Sequence, residues 1–137
     1  MKKLSLLLSL FLLTTGSFTK SYGEEIDLGP GMIPKVYVVE IFVDTCPECA
    51  TITPKVERLR YTYSNHPVLF VRLDYSNFTT SIQANLLASA LGIQDQVKSQ
   101  SKSGLILMIS PETGETLKSF DYFSSLQEME TVLNKSI

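Results

Sequence analysis

Histidine occurs once in this chain, cysteine twice and tryptophan not at all. The shortage of soft ligands restricts metal chemistry, because two thiolates fall short of a closed zinc or copper site. Basic residues do not outnumber acidic ones, with 12 Lys and Arg against 14 Asp and Glu. No basic stripe remains to neutralise phosphates, which argues against nucleic acid as a partner. Nothing resembles a serine triad or a phosphate-binding loop. Gly29-Pro30-Gly31 lacks the Lys-Ser/Thr continuation that a phosphate cradle needs. The one long apolar run, Leu4 to Leu13, is shorter than the ~20 residues that span a bilayer.

That run has another reading. Met1-Lys2-Lys3 gives it a charged start, and a polar stretch ending Ser21-Tyr22-Gly23 follows it. Together these make a signal peptide over 1–23, cleaved after Gly23, with a retained membrane anchor as the alternative. Loss of Lys2, Lys3 and Lys20 leaves the mature part more acidic. Export places the cysteines in an oxidising or actively redox-managed compartment, periplasmic or otherwise extracytoplasmic. Residues 24–35, with Gly29-Pro30-Gly31 and Pro34, read as an extended lead-in. One domain over 36–137 is all that the remaining length allows. Asn77-Phe78-Thr79 and Asn134-Lys135-Ser136 match the glycosylation acceptor pattern. They are without meaning if the lysine-led leader is bacterial.

The chain is organised around Val38 to Cys49. Val, Ile and Phe crowd the first part as a buried strand requires, and Asp44, Thr45 and Pro47 are residues that start helices. Cys46 and Cys49, the only cysteines, therefore sit where a strand hands over to a helix. Unpaired N–H groups and the positive dipole end stabilise a thiolate there. Cys46 is expected to be the more exposed sulfur, with a lowered pKa, and the attacking one; Cys49, a turn deeper, closes the bond onto it. A structural clip or half of a metal site is the alternative, but so short a loop gains little as a staple.

Glu40 interrupts the apolar run. A buried carboxylate has to be neutral, paired or functional. By period-two alternation it shares a face with Val38, Phe42 and Asp44, beneath the sulfurs. Burial would raise its pKa into a range where it exchanges a proton with Cys49, directly or through a water. The bland alternative is an edge-strand glutamate in solvent. The helix begins with Thr45 or Cys46 as cap, and Thr45-x-x-Glu48 fits a capping box. A Glu48 near the thiolate would oppose its formation. Ile52, Val56, Leu59 and Tyr63 form the inward face, and Pro54 kinks the helix without ending it.

Glu40, Cys46-Pro47-Glu48-Cys49 and Pro54 together resemble the thioredoxin pattern of a buried acid six residues before the first cysteine and a helix proline eight after it. The resemblance implies a thiol–disulfide oxidoreductase with Cys46 as nucleophile, Cys49 as resolving cysteine and Glu40 as the buried acid. It needs no cofactor beyond its own disulfide. Glutamate at the acid position and an exported context are similar to bacterial extracytoplasmic members that reduce disulfides in maturing partners. Disulfide- or thiol-bearing exported proteins are then the partners, a membrane electron-transfer protein could recycle the dithiol, and the chain acts as a monomer. A redox-inert binding or scaffold module on the same fold is the runner-up, and a metal-binding chaperone ranks below it.

The remaining pattern supplies strands at Val68 to Asp74, Gly104 to Ser110 and Glu115 to Phe120. Helices follow at Ser81 to Leu91, stopped by Gly92, and around Leu126, Met129, Val132 and Leu133. The α/β result is a minimal thioredoxin-like βαβαββα core, a central four-stranded mixed sheet flanked by helices. Two features depart from the family. Thr45 stands where it has tryptophan, and Ser103-Gly104 where it has a cis-proline facing the cysteines. A longer polar linker, Ile93 to Ser103, reads as a mobile loop that leaves the site unusually open. His66, ahead of the second strand, falls at the far end of a parallel pair from Cys46.

Overall fold

The computed structural model describes residues 33–137. The leader over 1–23, and the lead-in up to residue 32, lie outside the described residues. The chain runs β1 (Val36–Phe42), α1 (Pro47–Thr62), β2 (Val68–Asp74), α2 (Phe78–Ala90), α3 (Gln94–Lys98), β3 (Leu105–Ile109), β4 (Thr116–Phe120) and α4 (Leu126–Ser136). The sheet order is β2-β1-β3-β4. Strand β1 lies parallel to β2, antiparallel to β3, and β3 pairs antiparallel with β4. This is the mixed four-stranded sheet expected from the pattern, with the α1 crossover making β1 and β2 parallel.

Alternation along β1 sorts its side chains onto two cores. Val36 and Val38 pack with Ile52, Val56, Leu59 and Tyr63 of the α1 side and with Met129 and Leu133 of α4. Val39 and Ile41 face the other way, onto Ala84 and Ala88 of α2 and onto Ile93 and Val97. Both faces of β1 are thus covered, and that is why its sequence reads as a nearly unbroken apolar run. The α1 face is the one the spacing foretold, and the helix continues through Pro54.

Two elements differ from the sequence reading. Helix α2 begins at Phe78, not Ser81, because Asn77 and Thr80 form a reciprocal capping box that extends it by a turn. The supposed mobile linker contains α3, anchored by Ile93 and Val97, which are 1% and 8% exposed. Two apolar side chains spaced for one helical turn suffice to dock a polar segment on the sheet. Helix α4 starts with a second capping box, Ser125 with Glu128.

The two acceptor-type asparagines have structural work here. Asn77 caps α2, and Asn134 accepts a 2.8 Å hydrogen bond from the buried Tyr63 hydroxyl, tying α1 to α4. At the carboxyl end of the parallel pair, Asp44 N–H donates to Ser76 Oγ at 2.8 Å, and Ser76 N–H donates to Asp74 at 2.8 Å. The hydrogen bonds from the Ser76 side chain and backbone hold the Asp74 carboxyl below its ordinary range. The loops after β1 and β2 are therefore fastened together beside the cysteines. His66 lies at the opposite end, stacked edge-on against Tyr63.

Candidate redox site

Cys46 is itself the cap of α1. Its backbone is extended (φ −87°, ψ 113°), and its sulfur accepts the Cys49 N–H at 3.2 Å. Pro47 occupies the first helical position, where the missing N–H would have had no partner in the helix. The expected Thr45–Glu48 capping box is not formed, because the sulfur of Cys46 has taken the place of the Thr45 hydroxyl. Glu48 instead turns its carboxylate toward that sulfur, with Oε2 3.5 Å from Cys46 Sγ.

The two thiols, both free, are unlike each other. Cys46 is partly exposed, whereas Cys49 is 2% exposed and its Sγ points to the Ile41 carbonyl at 3.9 Å. Burial, and then the hydrogen bond with Cys46, push the Cys49 thiol up to about 11. The protonated form is the one the fold favours, so stability contributed by Cys49 is complete below its unfolded value of about 9. It is lost as pH rises from there through about 11.

Glu40 is 1% exposed, which removes the edge-strand alternative. Its carboxylate is held by Arg72 Nε at 2.7 Å and by the Thr53 hydroxyl at 2.6 Å. Arg72 stands opposite Glu40 in the parallel register, its guanidinium 4.7 Å above the Phe42 ring and 3.9 Å from Glu57. Of the three outcomes open to a buried carboxylate this is the paired one. Neither sulfur is among its hydrogen-bond partners, so of the two routes read from the sequence, proton exchange with Cys49 directly or through a water, the contacts do not provide the direct one. Arg72 was the missing piece, and its signal was a cation at the register position opposite an acid in a neighbouring strand.

Gly104 corrects the idea of an unusually open site. Its φ is +73° and its N–H donates to the Ile41 carbonyl at 2.9 Å. A Cβ placed on it would come within 2.7 Å of Glu48 Cβ and 3.2 Å of Cys46 Sγ. The linker therefore presses bare backbone against the sulfur, and no cis peptide bond occurs among the described residues. Replacing Gly104 by Ala should cost about 2 kcal/mol, from a left-handed φ plus a contact that the α1 backbone cannot easily yield. Thermal unfolding of the reduced protein checks this, and a Tm equal to the parent's would contradict it.

A further wall was not anticipated. In the turn before α4, Asp121 Oδ1 accepts the N–H groups of Phe123 and Ser124, and Lys55 Nζ donates to the carbonyls of Tyr122 and Ser124 at 2.8 and 2.7 Å. This turn presents the Tyr122 and Phe123 rings, 4.0 Å apart, to solvent. Among the described residues no cluster of His, Cys, Asp and Glu is arranged to hold a metal.

No protein-family model matches the chain, and no curated protein does. Solved structures do. Thioredoxin from Fasciola hepatica superposes with a TM-score of 0.50 at 18% identity, covering 77% of this chain and 85% of its own. Deadhead, the germline-specific thioredoxin of Drosophila melanogaster, gives a TM-score of 0.51 at 16% identity with the same coverage, 77% and 85%. The chain has the thioredoxin fold. Within that thioredoxin fold the cysteines open the helix that follows the central strand β1, with Gly104 on the facing linker and Glu40 on the strand below.

Proposed function

We propose that the chain is a thiol–disulfide oxidoreductase that exchanges its Cys46–Cys49 dithiol with disulfides of exported proteins. The observation that supports it best is the partly exposed Cys46 sulfur capping α1 and receiving the Cys49 amide at 3.2 Å. An amide at the positive end of a helix stabilises the negative charge that an attacking sulfur must carry. In the first step the Cys46 thiolate attacks one sulfur of the substrate disulfide. A mixed disulfide forms and the other substrate sulfur leaves as a thiolate. Cys49 then loses its proton and attacks the Cys46 sulfur, releasing the second substrate thiolate. Two electrons pass from the dithiol to the substrate, and the Cys46–Cys49 disulfide remains.

In this reading Glu40 is a positioning residue. Its Thr53 contact fixes α1 on the sheet, and its charge is answered by Arg72. The leader over 1–23 supplies the route to an extracytoplasmic compartment, where a membrane electron donor would return the dithiol. Turnover of an insulin-type disulfide by the protein with a dithiol supply tests the reading. Turnover is expected, and the single-turnover resolving step should accelerate as pH rises, because burial holds the Cys49 thiol above its ordinary value. A protein that reduces no disulfide at any pH would be an inert module on this fold.

A further inference from the structure

Beside Cys46 runs a groove walled by Glu48 of α1, by Lys102 and Gly104 of the linker, and by Asp121, Tyr122 and Phe123. Glu48 is the only charged side chain, among the described residues, hydrogen-bonded to the Cys46 sulfur. The Tyr122–Phe123 rings form the facing wall, with Phe123 78% exposed although its turn is fixed by Asp121 and Lys55. A rigid turn that spends its hydrogen bonds on holding two rings in water offers a prepared surface. A carboxylate on one side and aromatic faces on the other are the two partners that an ammonium or guanidinium group takes together.

We propose that this groove selects disulfides carrying a lysine- or arginine-like positive charge beside the sulfur that Cys46 attacks, with Glu48 as the specificity-determining residue. The inference rests on the exchange reaction above and names its preferred substrate class. The groove is lined by two acids, Glu48 and Asp121, against one lysine, Lys102. Lys102 is exposed, and Asp121 has the same sign as Glu48. Any effect of the Glu48 contact on the Cys46 sulfur itself is common to every substrate. The ratio of two substrates' rates is therefore free of it.

The test uses the reduced protein and two small disulfides, cystamine, with an ammonium beyond each sulfur, and dithiodipropionate, with a carboxylate there. Each rate is divided by that of the same disulfide with free dithiothreitol. The normalised ratio should favour cystamine about tenfold at low salt and shrink as salt is added. Glu48→Gln should bring it close to one, and Phe123→Ala should lower it without moving the unfolding midpoint. A ratio near one in the parent protein, or one unchanged in Glu48→Gln, overturns the selectivity while leaving the oxidoreductase reading in place. Failure of both disulfides to react overturns both.

Discussion

Cys46→Ser should lower disulfide turnover at least about a thousandfold, since a hydroxyl in that position supplies no thiolate and the remaining thiol, Cys49, is buried. Cys49→Ser should behave differently. Its first attack persists, so the mixed disulfide accumulates and can be trapped on a gel or by mass, while turnover still stops. The asymmetry follows from burial: Cys46 is partly exposed, and Cys49, at 2% exposure, points its sulfur to the Ile41 carbonyl. Alkylation should show the same order, with Cys46 modified first at neutral pH. Turnover that survives Cys46→Ser, or a mixed disulfide that forms on Cys49 instead, would remove the proposed mechanism.

The second large effect concerns Arg72. Arg72→Ala leaves Glu40, 1% exposed, with Thr53 as its one remaining partner. Removing one member of a buried ion pair costs about 3–5 kcal/mol, because the other charge stays behind without compensation. Arg72 is 35% exposed, so water can enter and soften the loss. We expect about 2–4 kcal/mol, read from urea unfolding at neutral pH. The double variant Glu40→Gln/Arg72→Met should recover much of it, since neither side chain then carries a charge into the core. A loss under about 1 kcal/mol in Arg72→Ala would mean that the pair is not what keeps Glu40 inside.

Local chemistry made much of this fold readable. Strand β2 has the bounds that its Val, Leu and Phe content gave it, and the α1 face of Ile52, Val56, Leu59 and Tyr63 follows from spacing alone. The handover at Cys46 was legible for the same reason, since apolar run, helix starters and cysteines are all neighbours in the chain. What escaped depends on residues far apart in sequence. Glu40 meets Arg72 only because β1 and β2 lie side by side, and no inspection of β1 could tell a paired acid from a proton carrier. Lys55 grips the Tyr122 and Ser124 carbonyls across two-thirds of the domain. The α2 start is a different kind of miss. Asn77-x-x-Thr80 is readable as a cap, but Asn77-Phe78-Thr79 reads equally as loop and acceptor-site chemistry.

The Lys55 contacts have a mechanical side. The helix that opens at Cys46 reaches across with one ammonium group, Lys55, and fastens the aromatic turn by two of its carbonyls, so a displacement of the helix start drags the turn with it. An incoming chain lodged on those rings would keep its distance from the reacting sulfur as the helix shifts. Cutting that tether should loosen aim before it loosens the fold.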